Sequence, residues 1–153
     1  MQFYFCSNYK IIKMSKVKVS KISETTVNLN AQKVWEKLVD FGGTEKFVPD
    51  LIEKVIVEGS GIGAVRTIYI KGGDVIIEKL TSIDRSKLEM KFIILSTPMP
   101  VFNYEGVFTV ISQEENKCNV RFESIYEVSV EQKEEMNSII KNFQETFLSN
   151  LDK

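Results

Sequence analysis

The sequence contains no histidine at all, and it has only two cysteines, Cys6 and Cys118. Without histidine, every nucleophilic system that pairs a serine or a cysteine with an imidazole is excluded, and so are the usual imidazole metal sites. Two cysteines this far apart have no metal-ligand spacing, so both are expected to be free thiols. We expect neither metal nor cofactor, and so few cysteines favour a reducing compartment, with the cytoplasm as the default.

The chain also lacks an excess of charge of either sign, since 20 basic and 21 acidic residues leave a net charge of −1. With this balance there is no excess of positive charge that would attract a nucleic-acid backbone or an anionic membrane. No apolar run approaches the ~20 residues that a membrane-spanning helix needs. The sequence therefore predicts no nucleic-acid partner and no integral membrane association.

Residues 1–13 lack the charged, apolar and small-residue regions of a signal peptide. The periodic pattern begins only after them, so we expect a loosely attached N-terminal extension over 1–13 and one domain over 14–153. With 153 residues, of which 43% are hydrophobic, the chain is long enough for one core that needs no disulfide. Oligomeric state is not indicated by any of these features.

Hydrophobic periodicity predicts the secondary structure. Residues 17–29 alternate as a strand, Asn30 is a good N-cap, and apolar residues then recur with helical spacing to Val39. Gly42-Gly43 ends that helix, and Thr44 can cap a further short turn through Phe47. From residue 53 the period is close to two, which predicts strands at about 53–58, 64–71, 74–83, 87–96, 103–112 and 118–128.

The connections between these strands are short, and short connections suit antiparallel neighbours. Ser129 and Gln132 form a capping-box signature ahead of a helical stripe with the residues Met136, Ile139, Ile140, Phe143, Phe147 and Leu151. The predicted fold is α+β, a seven-stranded antiparallel sheet wrapped around a long C-terminal helix, with two short helices after the first strand.

Several segments in this order resemble the START-like superfamily, also called SRPBCC, and its polyketide cyclase/dehydrase and lipid-transport branch, which is related to the plant abscisic-acid receptors. The segments are residues 34–41 (VWEKLVDF), 61–67 (GIGAVRT), 78–80 (EKL) and 98–100 (PMP) ahead of Asn103-Tyr104. The resemblance covers about residues 17–150. It implies a helix-grip fold that encloses an apolar cavity between the sheet and the C-terminal helix.

Alternation along each strand assigns side chains to faces. The resemblance implies that one set of faces lines the cavity, which makes the following residues candidates for ligand binding: Arg66, Ile68, Ile70, Glu78, Leu80, Met90, Phe92, Tyr104 and Phe108. Ile139 and Phe143 of the closing helix join this set where sheet side chains leave them uncovered. For Glu123 the two arguments disagree, since the family resemblance favours an inward side chain and the alternation along its strand disfavours it.

Arg66, Glu78 and Tyr104 would be polar groups in an apolar wall, and two interpretations remain open. They form a structural buried pair and its neighbour, or they anchor the polar end of a ligand. Catalysis would require Glu78 as a base, with Tyr104 or Arg66 stabilising a developing enolate.

The glycine-rich segment 59–63 is followed by a strand rather than a helix, so it predicts a turn and not a dinucleotide-binding loop. The gate and latch motifs of the receptor branch are not matched, which disfavours a hormone sensor. Three functions remain. The first is binding or carriage of a small hydrophobic metabolite or lipid, the second a cyclase, aromatase or isomerase, and the third an interaction module whose core is filled by its own side chains.

Overall fold

The computed structural model describes residues 15–153, so the predicted N-terminal extension and Cys6 lie outside the described residues. Seven strands make up most of the chain, and in chain order they are β1 (Lys16–Val27), β2 (Ile52–Glu58), β3 (Val65–Ile70), β4 (Val75–Asp84), β5 (Glu89–Ser96), β6 (Val101–Glu114) and β7 (Lys117–Ser129). The predicted strands agree with these bounds to within three residues at each end.

All seven strands form one antiparallel sheet in the order β1-β7-β6-β5-β4-β3-β2. Every neighbouring pair from β2 to β7 is consecutive along the chain, because the short turns allow only antiparallel returns. The one long-range pairing joins β1 to β7, with Val19 opposite Tyr126. This sheet and its closing helix confirm the predicted α+β fold.

Two short elements connect β1 to β2. Helix α1 spans Ala31–Val39, and Asn30 caps it, since its Oδ1 accepts hydrogen bonds from the backbone nitrogens of Gln32 and Lys33 at 2.9 and 3.4 Å. The second predicted short helix is a single 3₁₀ turn over Thr44–Lys46. It ends early because the chain turns through Pro49 toward β2.

The long helix α2 spans Lys133–Ser149 and follows a 3₁₀ turn at Val130–Gln132. The predicted capping box does not form, because the Ser129 hydroxyl contacts the Gln132 side chain at 3.2 Å and caps no backbone nitrogen. Helix α2 packs against β1 and β7, and its buried residues are Met136, Ile140, Gln144, Phe147 and Leu148. No helix within residues 15–153 is long and apolar enough to cross a membrane.

Candidate functional site

Strand alternation and register place two ionisable side chains side by side on the face of the sheet that α2 covers. Arg66 of β3 is the direct cross-strand partner of Glu78 of β4, and both residues are buried, with exposures of 4% and 7%. The guanidinium donates from Nε to Glu78 Oε2 at 2.6 Å, and Nη2 lies 2.5 Å from the same oxygen. The two predicted cavity charges therefore form a hydrogen-bonded ion pair.

The remaining Arg66 contacts attach this pair to the segment that follows α1. Nη1 donates to the Phe41 carbonyl at 3.2 Å and to Thr44 Oγ1 at 2.6 Å. The guanidinium also lies 3.9 Å from the centre of the Phe41 ring and 5.0 Å from that of Phe92. Because the guanidinium donates hydrogen bonds to Glu78, Phe41 and Thr44, Arg66 joins the sheet to the 3₁₀ turn.

One of the two carboxylate oxygens of Glu78 takes no part in the ion pair. The hydrogen bond from Arg66 Nε and the close contact of Nη2 both involve Oε2, and Oε1 has no hydrogen-bond partner among residues 15–153. Oε1 is also not among the fully buried, unpaired side-chain atoms of this part of the chain. Glu78 therefore has unused hydrogen-bonding capacity at Oε1.

A β-bulge in β6 holds Tyr104 on the inner face. Asn103 and Tyr104 together oppose the single residue Tyr126 of β7, and Asn103 adopts a left-handed φ of 50°. The Tyr104 and Tyr126 rings stack with centroids 6.1 Å apart. The extra residue shifts the alternation by one position, so that Tyr104 points inward while Glu105 points outward.

Behind Tyr104 lies a buried hydrogen-bond network that the sequence did not reveal. The Tyr104 hydroxyl lies 2.7 Å from Ser124 Oγ, and Gln144 Nε2 donates to that same oxygen at 2.9 Å. Gln144 also donates to the Lys21 carbonyl at 3.1 Å and accepts from the Ser23 hydroxyl at 2.8 Å. The network joins β6, β7, α2 and β1 across the domain.

Burial raises the pKa of Tyr104 well above its ordinary value of 10.0. The hydrogen bond with Ser124 opposes this rise in pKa, whereas the negative charge of nearby Glu78 adds to it. At neutral pH the side chain is therefore a neutral phenol that can donate a hydrogen bond.

This shift predicts a loss of stability at alkaline pH. Above about pH 10 the unfolded chain ionises Tyr104 while the folded protein does not, so the contribution of this group is complete below that pH and falls as the pH rises toward the folded pKa. Urea unfolding of the wild type and of Tyr104→Phe at several pH values measures the contribution of Tyr104 to the free energy of unfolding. The stability of the wild type relative to the variant should decrease between about pH 8 and about pH 11. A constant difference would show that Tyr104 titrates normally.

Aromatic rings fill much of the space between the sheet and the C-terminal half of α2. The Phe108 ring lies 4.1 Å from that of Phe122 and 4.9 Å from that of Phe147, measured between centroids. Phe143 packs on the edge of this cluster, 6.3 Å from Phe122. Phe108 and Phe143 therefore act first as core residues, and their rings occupy part of the space that the resemblance assigned to a ligand.

An open groove lies where β5 and β6 separate. Their pairing stops at Ile93 and Glu105, and the Pro98-Met99-Pro100 connection spans the gap. The resulting groove has a volume of about 880 Å³, and its wall contains apolar and aromatic side chains together with the charged side chains of Lys18, Glu105 and Glu127. The apolar and aromatic members include Ile94, Met99, Val101, Tyr104 and Tyr126. Among the predicted site residues, Tyr104 lines this groove.

A second, smaller space of about 380 Å³ lies between the end of α1 and the glycine-rich turn. Phe41, Gly61 and Leu80 are part of its wall, so Leu80 is a predicted site residue that lines a space other than the main groove. The 59–63 segment is a turn between β2 and β3, as predicted.

The other predicted residues are distributed as follows. Ile68, Met90 and Phe92 are buried on the inner face, and Ile70 is half-buried beside them. Ile139 is 43% exposed, so its expected place in the covered helical stripe is wrong. Gln144 instead occupies a buried position of that stripe, because α2 is rotated so that Met136, Ile140, Gln144 and Phe147 face β1 and β7.

Glu123 faces outward, so its expected position in the cavity is wrong. Its carboxylate accepts a hydrogen bond from the Ser20 hydroxyl at 2.8 Å in an exposed position, whereas its neighbours Phe122 and Ser124 are buried on the opposite face. The alternation along β7 was the correct guide, because consecutive side chains of an unbulged strand point to opposite faces.

Two further observations concern the reactivity of the Cys118 thiol and the capacity to bind a metal ion. Cys118 is a buried free thiol whose pKa is raised by burial, which makes it a poor nucleophile. Over residues 15–153, no group of three or more metal-ligating side chains is close enough to hold an ion. The polar chemistry of the inner face therefore rests on Glu78, Tyr104 and the network behind Tyr104.

Solved structures with the same fold include enzymes. Norcoclaurine synthase from Thalictrum flavum, solved with dopamine and hydroxybenzaldehyde, is 18% identical with a TM-score of 0.77, over 93% of this chain and 88% of that one. The Zhui aromatase/cyclase from Streptomyces sp. R1128 is 16% identical with a TM-score of 0.78, over 88% of this chain and 92% of that one. Protein XoxI from Bacillus cereus is 22% identical with a TM-score of 0.71, over 91% and 94%. At these identities the likeness concerns the fold alone.

No curated protein matches the sequence. Residues 14–153 match the model of a family described as polyketide cyclase/dehydrase and lipid transport. That match covers the whole predicted domain and agrees with the resemblance carried by the sequence motifs. The chain belongs to the polyketide cyclase/dehydrase and lipid-transport family.

Proposed function

We propose that this protein binds a small, mainly hydrophobic molecule in the groove between the ends of β5 and β6, and that it carries or sequesters that molecule. The observation that carries the proposal is the groove itself, about 880 Å³ in volume, with Tyr104 in its wall. Small-molecule sites have volumes in this range and combine apolar walls with a few polar groups. The neutral phenol of Tyr104 supplies such a group beside Ile94, Met99 and Tyr126.

Native mass spectrometry of the protein purified from the organism that produces it tests this function, with identification of any compound released on denaturation. We expect a discrete adduct on the wild type. Ile94→Trp, which fills the groove, should lose the adduct. Ile56→Trp is the matched control, because Ile56 is 45% exposed on β2 and does not line the groove. An adduct that Ile94→Trp retains would place the ligand elsewhere, and an empty wild type would contradict tight carriage.

Catalysis is the second candidate, and the unpaired Oε1 of Glu78 favours it. A carboxylate and a neutral phenol on one inner face are the groups that proton abstraction next to a carbonyl requires. The two enzymes among the structural neighbours support the suitability of this fold for catalysis. Glu78→Gln separates the two candidates, since an enzyme would retain affinity for the bound compound and lose its turnover, whereas a carrier has no turnover to lose.

A further inference from the structure

We propose that Gln144 and Ser124 orient the Tyr104 hydroxyl as a hydrogen-bond donor toward the groove, so that the site selects ligands with an oxygen or nitrogen acceptor at that point. The inference rests on the proposed binding function and adds to it the polar group that the ligand must carry. Gln144 and Ser124 are positioning residues in this scheme, since they act through Tyr104.

The orientation of the Gln144 amide is determined by its neighbours. Its Nε2 faces the Lys21 carbonyl at 3.1 Å, and a carbonyl can only accept, so the nitrogen and not the oxygen must lie there. Oε1 then accepts from the Ser23 hydroxyl at 2.8 Å. The reversed amide would bring two acceptors together in a position with no exposure to solvent.

The same nitrogen determines what Ser124 can do. Gln144 Nε2 donates its second hydrogen to Ser124 Oγ at 2.9 Å, and an amide nitrogen has no lone pair to accept a hydrogen in return. Within residues 15–153, the Tyr104 hydroxyl at 2.7 Å is the one other hydrogen-bond partner of Ser124. Ser124 is 0% exposed and has no other acceptor in reach, so its hydroxyl donates to Tyr104 in this scheme.

Tyr104 consequently accepts from Ser124 and retains its own hydrogen. No other acceptor among residues 15–153 lies within hydrogen-bonding distance of the Tyr104 hydroxyl. If Tyr104 donated to Ser124 instead, the hydroxyl hydrogen of Ser124 would be buried without an acceptor, which is rare for buried polar groups. Tyr104 differs from Ser124 because it is 7% exposed and belongs to the wall of the groove, so a bound molecule that enters the groove can act as its acceptor. A carbonyl, carboxylate or phenolate oxygen fits this donor.

Two probes of one shape test the inference on the full chain. Naphthyl methyl ketone has a carbonyl acceptor, and isopropenylnaphthalene has a methylene group in place of that oxygen. Titrations followed by NMR give both dissociation constants. We expect the wild type to bind the ketone roughly three- to tenfold more tightly, the range of a net neutral hydrogen bond. Tyr104→Phe should bring the ratio to about one.

Two variants, Gln144→Glu and Ser124→Ala, test whether Gln144 orients the Tyr104 hydroxyl or only fills space in the core. A glutamate at 144 has an oxygen where Nε2 was, so Ser124 can donate to it and accept from Tyr104, and the ketone preference should fall toward a ratio of about one. Ser124→Ala leaves the Tyr104 hydrogen free and should keep the preference. If Gln144 were only a packing residue, Gln144→Glu would weaken both probes equally and leave the ratio unchanged, which would overturn the inference.

The carbonyl stretch of the bound ketone gives a second readout that does not depend on the folding of Gln144→Glu. In the wild type and Ser124→Ala the infrared band should shift to lower frequency, and in Tyr104→Phe it should not. Equal binding of both probes by the wild type would overturn the donor inference and leave the proposed function standing. Binding of neither probe would overturn the proposed function, and the inference with it.

Discussion

Glu78→Ala is expected to lower the free energy of unfolding by about 3 to 5 kcal/mol, because it leaves the buried guanidinium of Arg66 without its counter-ion. Arg66 is 4% exposed, its Nε donates a hydrogen bond to Glu78 Oε2, and its Nη2 lies 2.5 Å from the same oxygen. Urea unfolding monitored by circular dichroism measures the change. A loss below about 1 kcal/mol, the range of exposed ion pairs, would show that solvent reaches the pair.

Glu89→Ala is the matched control. Glu89 also pairs with a basic side chain, Lys91, but at 3.9 Å and with side-chain exposures of 29% and 39%. We expect a change of less than about 1 kcal/mol, because solvent screens this pair. Arg66→Met combined with Glu78→Leu completes the test. The double variant should recover part of the loss, since no unpaired charge remains, but not all of it, because Phe41 and Thr44 lose their donor.

Gly106→Ala is expected to destabilise the protein by about 1 to 3 kcal/mol or more through overpacking. Phe92 of β5 lies directly across from Gly106 of β6, and a Cβ at residue 106 would be 2.2 Å from Phe92 Cζ. The ring has little room to move, because Tyr104, Phe108 and Phe122 surround it with centroids 6.1 to 6.5 Å away.

Two comparisons isolate the contact with the Phe92 ring. In a Phe92→Leu background the additional cost of Gly106→Ala should decrease, because the ring that the Cβ meets is gone. Gly42→Ala is the control, since its nearest atom would be Val57 Cγ2 at 3.2 Å. Equal melting curves for Gly106→Ala and the wild type would mean that the sheet relaxes freely around Phe92. The outcome also bears on function, because Phe92 belongs to the inner wall next to Tyr104.

Local sequence patterns were sufficient to predict the fold. Alternation from residue 53 onward and the helical spacings after Asn30 and Gln132 depend on neighbours in sequence, and the strands and helices lie where these patterns put them. Alternation assigned side chains to the two faces of each strand, and the family resemblance indicated that Arg66, Glu78 and Tyr104 share the inner one. At Glu123 alternation was correct and the resemblance was not. The helical spacing was wrong at Ile139, because the rotation of the helix decides which residues are exposed.

Local patterns could not predict the candidate site, because it is formed by contacts between residues that are far apart in the sequence. Arg66 reaches Thr44 across 22 positions, and Ser23 reaches Gln144 across 121. Ser124 and Gln144 have no sequence signature, since a lone serine in a strand and a lone glutamine in a helix are most often exposed. The inward parity of Ser124 among Phe122, Tyr126 and Val128 was the one available signal.

The sequence by itself determined the class of fold, the antiparallel order of six consecutive strands and the inner face of the sheet, because strand and helix periods are properties of the local backbone. Tertiary structure alone decided which groups on that face are already satisfied by protein partners and which remain free for a ligand. That distinction arises when α2 and the segment after α1 close on the sheet, where Arg66 meets Glu78 and Thr44 while Tyr104 lies in the wall of the groove.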